Sequence, residues 1–423
     1  MISILLVFSL ITLIVSKTPI SVAMGLASLF AAWAGGYPIH LLPQGIFNGA
    51  VTWSLLAVPF FIIAGNLMNE FGIAERIFDF MNAVVGHVRG GLAHVNVLTS
   101  MVFAGISGSA TADCAGLGPI ELKAMRDANY DPSLSAGITL ASSTIGPIIP
   151  PSVSFIIYAV ISGTSIAKMF VAGIIPGVLA GLALMITNYF ICLRNPEKLP
   201  RKPKKTLREI SDSFFVAIFS LIAPVIILFG MISGLVSPTE AGIIAILYSL
   251  FLGFFYRTFS FKKIIKVMEI SMLTSAHSLI LVGLASTMSN IMTFERTPLM
   301  VAEFIMTLSS NKIVILLLID LLLLIVGTLM TGISSMVLLA PIFIPLMQEL
   351  GVDLIQFGVI MGLGTVIGIT TPPVGVGLFI ISDIAKLSVE KVALGVLVYL
   401  PALLIALLLI TFVPFLTTWL PSV

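Results

Sequence analysis

Two parts of this chain carry the same order of small, hydroxylated and proline residues, an order suited to holding a cation. Gly105-Ile106-Ser107-Gly108 precedes Ile145-Gly146-Pro147-Ile148-Ile149-Pro150-Pro151, and Gly332-Ile333-Ser334-Ser335 precedes Ile367-Gly368-Ile369-Thr370-Thr371-Pro372-Pro373. Proline has no amide hydrogen for the carbonyl four residues earlier. Pro150 and Pro151 therefore free the carbonyls of Gly146 and Pro147, and Pro372 and Pro373 free those of Gly368 and Ile369. Away from water an orphan carbonyl is costly unless something binds it, and a bare Na⁺ needs such oxygen ligands. A plain kink, resatisfied by neighbouring Ser or Thr, would explain one Pro-Pro pair. Two matched kinks, each preceded by a Gly-Ile-Ser string with its hydroxyls, favour an ion or substrate site.

Two acids, Asp113 and Asp320, fall at membrane depth, where an ionisable group is by default a functional candidate. Either is a candidate for coupling. Asp113, four residues after Ser109, equally suits the positive end of a half-helix that begins there. Asp320 has no matching acid in the first string. Glu240, after Ser237-Pro238-Thr239, has the spacing of a capping box. His277 stands alone in an apolar run, which fits core packing better than metal binding.

These residues must be positioned by membrane helices. The chain is 58% apolar and only 9% charged over 423 residues, against about 25% charged in soluble domains. A spanning helix needs about 20 apolar residues, and residues 169–193, 213–239 and 354–382 contain no Asp, Glu, Lys or Arg. The runs are apolar on all faces, which excludes a period-two transmembrane barrel. A net charge of +2 gives no field for nucleic acid, and Cys114 and Cys192 make neither a disulfide framework nor a zinc pair. No GxxxxGK[ST] is present, so ATP is not the expected energy source.

The first charge, Lys17, follows the first apolar run, so that run reads as a retained helix rather than a signal peptide. With Lys17 inside, three spans end near Val15, Gly36 and Asn69, and a polar stretch covers 70–90. A hairpin over 91–128, a broken span over 132–163 and a span ending at Leu193 follow. A basic linker leads to a second set: spans ending near Val236, Tyr256 and Met292, a hairpin over 311–350, a broken span to Ser382 and a last span. This threading puts 18 of the 21 basic residues inside, all but Lys168, Arg296 and Lys312, and both termini outside. The segment 256–268, with Arg257, Lys262, Lys263 and Lys266, predicts an interfacial helix.

The Gly-Ile-Ser strings recur at an offset of 227 and the Pro-Pro elements at 222, while Thr18-Pro19 has a counterpart in Ser237-Pro238. Each half holds five crossings and one re-entrant hairpin, so the second half is inverted, as in secondary transporters. The expected units are 1–90 and 213–310 as scaffold helices, 91–193 and 311–423 as transport halves, and 194–212 as a cytoplasmic linker. The fold class is an all-α polytopic membrane protein, an inverted-repeat transporter with two re-entrant hairpins and two broken helices.

Gly105-Ile106-Ser107-Gly108-Ser109-Ala110-Thr111-Ala112-Asp113, with the two Pro-Pro elements behind it, resembles the large membrane subunit of tripartite ATP-independent periplasmic (TRAP) transporters over the whole chain. The resemblance implies an elevator mechanism driven by a Na⁺ gradient in a bacterial inner membrane. It also implies a separate four-helix small membrane subunit and a periplasmic protein that delivers the substrate. Residue by residue, it places a first Na⁺ site on Ser107, Ser109, Gly146 and the backbone near Ile149. A second falls on Gly332, Gly368, Thr371 and the backbone near Val374, although the second tip lacks the Gly-Ser-Ala-Thr string. Family substrates are organic acids: C4-dicarboxylates, sialic acids and other sugar acids. No Arg or Lys lies in the expected core, so a carboxylate would be held by half-helix amino termini and hydroxyls. The hydroxyls expected to meet it are Ser107, Ser152, Ser334, Ser335 and Thr370.

An intramembrane serine protease could use Gly105-Ile106-Ser107-Gly108 with His277 as base, but it leaves the duplication unexplained, and no catalytic residue is expected. Neither Asp113 nor Asp320 carries the GxGD of an aspartyl protease. The main alternative is a stand-alone Na⁺-coupled carboxylate transporter of a related elevator fold.

Overall fold

A computed structural model describes residues 2–16, 18–195, 197–200, 203–309, 311–372 and 374–422. Lys17 and Pro373 lie outside the described residues, as do Arg201 and Lys202 of the basic linker. Apolar runs punctuated by proline, glycine and charge give 22 α-helices and no strand among those residues.

The first bundle begins with α1 (Ile2–Val15), α2 (Ile20–Ala34) and α3 (Leu41–Ala50), then a single 3-10 turn (Trp53–Leu56), α4 (Ala57–Glu70) and α5 (Ile73–Val85). Ile73, Ala74, Ile77 and Phe78 form the buried stripe of α5 and leave Glu75 and Asp79 on its outer face, which explains a helix inside the polar 70–90 stretch. The bundle is completed by α12 (Leu207–Ile232), α13 (Pro238–Phe255) and α14 (Phe261–Phe294), after which α15 (Thr297–Leu308) leads away to the later hairpin. Capping boxes start two of these: Thr206 with Glu209 on α12, and, as the spacing predicts, Ser237 with Glu240 on α13. Thr18 makes no such cap, since Pro19 itself stands at the N-cap of α2. Helices α2, α3 and α4 pack along α14, and α13 packs on α4.

The second bundle holds the hairpins. It contains α6 (Gly91–Ser107), α7 (Ala110–Gly116), α8 (Gly118–Asp127), α9 (Pro132–Ser143), α10 (Val153–Ser162) and α11 (Ile166–Arg194). The later half adds α16 (Lys312–Leu329), α17 (Gly332–Glu349), α18 (Leu354–Thr370), α19 (Val376–Ala385), α20 (Val389–Leu397), α21 (Leu400–Phe412) and α22 (Phe415–Ser422). The two halves interlock. Helix α10 packs on α17 and α18, α9 on α20, and α19 on α7. Tyr158 of α10 donates to the Leu354 carbonyl at 2.7 Å while its ring stands edge-on to Phe357.

By length and composition six helices can each cross a bilayer, namely α11, α12, α13, α14, α16 and α17. The count is nine if the bent pairs α3–α4 (56°), α6–α7 (119°) and α20–α21 (53°) each make one span. Large apolar side chains such as Phe215, Val225, Phe229 and Ile232 point outward from α12, as a lipid-facing helix requires.

Two expectations need correction. The basic segment 256–268 is not a separate interfacial helix. Its residues from Phe261 onward are the first turns of α14, a single helix of 34 residues that carries Lys262, Lys263 and Lys266 on the same rod as the span. The second closing span is not one helix either. Where α11 runs unbroken for 29 residues, its counterpart is divided into α20, α21 and α22, with Pro401 opening α21 and Pro414 preceding α22.

Candidate substrate and ion site

In the first hairpin α6 ends at Ser107, and the chain reverses through Gly108 and Ser109 into α7. Gly108 has a φ of +62°, and a Cβ there would stand 2.6 Å from the Pro151 carbonyl oxygen. Only glycine allows that turn to press against the first helix break. In the second hairpin α16 ends at Leu329, Met330 is extended, and Thr331 caps α17 by accepting the Ser334 amide at 3.4 Å.

The turns correct the register of the repeat. Gly105, Ile106 and Ser107 close the first leg of their hairpin, whereas Gly332 to Ser335 open the second leg of theirs, so the two Gly-Ile-Ser strings are not equivalent. The equivalent positions are the caps Ser109 and Thr331, which are 222 residues apart, as are Pro150 and Pro372. The caps of α9 and α18 keep the same spacing: Asp131 accepts the Leu134 amide at 2.9 Å, and Asp353 accepts those of Ile355 and Gln356 at 2.7 and 3.2 Å.

Both tips and both breaks open on one cavity of about 420 Å³. The first tip lines it with Gly108, Ser109 and Thr111, and the second with Thr331, Gly332 and Ser334. Pro147 and Ile369 come from the two breaks, and Ala110 packs with Val366 and Ile369, so the first tip reaches the other half. The opposite wall is α14, through Leu273, Thr274, His277, Ser278 and Leu281.

Beside the cavity, Ser107 Oγ donates to Asp113 Oδ1. Asp113 is 1% exposed and its Oδ2 has no partner among the described residues. That oxygen lies against Gly146, where a Cβ would collide with it. The Gly146 carbonyl accepts no hydrogen bond among the described residues. An unpaired carboxylate oxygen and an unpaired carbonyl, both shielded from water, are what a small cation would stabilise. The other carbonyls expected to be free are mostly taken. Ser152, which caps α10 by accepting the Phe155 amide at 3.3 Å, donates to the Pro147 carbonyl at 2.6 Å. The Gly368 carbonyl accepts the Thr371 amide at 2.9 Å.

Of the remaining expected residues, Ile149 donates its amide to the Ile145 carbonyl at 3.0 Å. Ser335 donates to the Thr331 carbonyl at 3.1 Å, and Thr370 and Thr371 both donate to that of Ile367 at 2.8 Å. Val374 is exposed just beyond the second break. Ser152, Ser335, Thr370, Thr371 and Val374 do not line this cavity. Asp320 lies away from it, accepting from Thr411 at 2.9 Å between α16 and α21, with Oδ1 unpartnered.

Sequence reasoning missed several participants. His277 is exposed to the cavity and is its one ionisable lining residue among the described residues, not a packed core histidine. Ser154, in the first turn of α10, also lines it. Glu121 is a further buried acid. Asn96 donates to it at 2.6 Å and to Thr139 at 2.8 Å, and Ser142 donates to Asn96 at 2.6 Å.

Helical hairpins whose tips share a central cavity with two broken helices define a membrane transporter fold. The chain superposes on the Alcanivorax borkumensis YdaH transporter with a TM-score of 0.63, at 17% identity, over 93% of this chain and 88% of that one. The family profile for the tripartite ATP-independent periplasmic transporter, DctM component, matches residues 7–416. The sialic acid TRAP transporter large permease of Vibrio cholerae is 40% identical over 98% of this chain and 97% of that protein. The Escherichia coli 2,3-diketo-L-gulonate large permease is 39% identical over 92% and 91%. The Pseudomonas aeruginosa C4-dicarboxylate large permease is 37% identical over 91% and 90%. The chain belongs to this family and is a TRAP transporter large permease.

Proposed function

We propose that this permease carries a small organic acid into the cell across a bacterial inner membrane, driven by Na⁺ entering with it. The single observation that carries the reading is the cavity of about 420 Å³ shared by both hairpin tips and both helix breaks, a volume within the range of small-molecule sites. Relatives named for sialic acid, 2,3-diketo-L-gulonate and C4-dicarboxylate support an acid as the cargo. His277 and the free amides at the start of α17 supply the polar groups to orient a carboxylate. Asp113 Oδ2 with the Gly146 carbonyl and Ser107 form the first Na⁺ cradle. In an elevator cycle the hairpin bundle moves along the bundle that contains α14. A small membrane subunit and a periplasmic binding protein complete the machine, in keeping with the tripartite family.

The test is uptake into proteoliposomes holding this chain with its small subunit, given a loaded binding protein and an inward Na⁺ gradient. Uptake that needs the gradient and all three proteins, and ignores ATP, is expected. Equal uptake by this chain alone would falsify the tripartite reading and favour the stand-alone carboxylate transporter.

A further inference from the structure

Directly beyond the central cavity along α14 lies a second one of about 270 Å³. The central cavity uses α14 from Leu273 to Leu281, and this one uses Val282 to Asn290. Asn48, Thr52, Ser286, Ser289 and Asn290 provide its polar wall, while Val160, Ile161 and Pro341 face them from the hairpin bundle. Among the described residues no charged side chain lines it.

Two of its hydroxyls differ from the others on α14. A Ser or Thr within a membrane helix normally satisfies its hydroxyl on the carbonyl a turn back. On α14, Thr274, Ser275, Ser278, Thr287 and Thr293 do so, and Ser271 accepts from Asn66. Ser286 and Ser289 do not, and the side chains of Asn48, Thr52 and Asn290 likewise make no hydrogen bond among the described residues. Five hydrogen-bonding groups without a protein partner thus gather on one neutral wall, with Ser286 and Ser289 half-buried and Asn48, Thr52 and Asn290 open to whatever enters. Carboxylate recognition calls for positive charge or helix amino termini, and this cavity offers neither. Paired amides and hydroxyls match the hydroxyl groups of a sugar-like chain. The volume is below that of a whole-ligand pocket, about 300 Å³ or more, so it suits part of a molecule whose acid end lies in the central cavity.

We propose that this second cavity is a subsite for the hydroxyl-bearing portion of a polyhydroxylated acid. This rests on the organic-acid reading above. All its polar groups belong to the bundle of α3 and α14, so the contact is made with the stationary wall and is broken when the hairpin bundle moves. The subsite therefore selects the substrate at loading and does not travel with it.

The experiment compares uptake of sialic acid and of succinate by the complete three-protein set. Wild type is set beside Ser289→Ala/Asn290→Ala, with Thr293→Ala as a control whose hydroxyl already bonds the Ser289 carbonyl, all normalised to inserted protein. The expected result is sialic acid uptake by wild type, with KM about 10-fold higher in the double variant, the scale of a lost hydrogen-bond pair. The Thr293→Ala control should match wild type. Wild-type uptake of sialic acid with an unchanged KM in the double variant overturns the subsite alone, as does wild-type uptake of succinate without sialic acid. Wild-type uptake of neither acid overturns the organic-acid reading and the subsite with it.

Discussion

Gly327 of α16 and Gly368 of α18 meet back to back: a Cβ on Gly368 would stand 2.6 Å from the Gly327 Cα and from the Leu324 carbonyl oxygen. Their counterparts 222 residues earlier are Gly105 and Gly146, but there the place against Gly146 is taken by the Asp113 carboxylate. The same pair of glycines thus closes one helix contact tightly and leaves room for an acid in the other.

Gly368→Ala should therefore act as an overpacking mutation, destabilising by about 1–3 kcal/mol. A thermal unfolding midpoint in detergent equal to that of wild type would contradict the contact.

At the first break the consequence is different. Asp113→Asn and Gly146→Ala each disturb one member of the Na⁺ cradle, and the half-saturating Na⁺ concentration for uptake should rise roughly 5- to 150-fold, corresponding to about 1–3 kcal/mol. Asp320→Asn, whose carboxylate bonds Thr411 away from the cavity, should leave that concentration unchanged and lower the thermal midpoint instead. A shift in the Na⁺ dependence of Asp320→Asn, with none in the other two, would reverse the assignment.

Among the described residues His277 is the one ionisable side chain on the cavity wall. His277→Leu should raise KM for the transported acid by about 10-fold, and His277→Gln, which keeps a donor, should recover much of that loss. Equal KM values across the three proteins would remove His277 from the substrate's path.

Orientation can be read by labelling. A cysteine at Lys204 should react only from the cytoplasmic face and one at Arg296 only from the periplasmic face, as the distribution of basic residues requires. Reaction of both from one side would leave an even number of crossings between them and break the inverted repeat.

The helix breaks and the sharp turn at Gly108 were legible because they rest on local chemistry: proline withholds an amide wherever it occurs, and Gly108 must turn. The register of the repeat was not, because the two Gly-Ile-Ser strings match in letters while the true equivalents, Ser109 and Thr331, differ in side chain. His277 was misread because nothing in an apolar helix says which face meets a cavity; that depends on how α14 packs against the hairpins. Glu121 was passed over beside Lys123 and Arg126, which point outward while it turns inward to Asn96.

The constant spacing of 222 has an end. It holds for Ser109 and Thr331, Asp131 and Asp353, and Pro150 and Pro372, yet Ser152 and Gly375, which cap α10 and α19, are 223 apart. Gly163 and Lys386, the left-handed residues closing those helices, are also 223 apart. One residue therefore separates the histories of the two copies, and the insertion or deletion falls between the proline pair and the helix that follows it. A single residue turns a helix by 100°, so side chains beyond this point cannot be matched across the copies by the earlier offset. Val374 sits on that seam. Whatever the backbone around it binds must be worked out on its own terms, because no translation of the first break reproduces it.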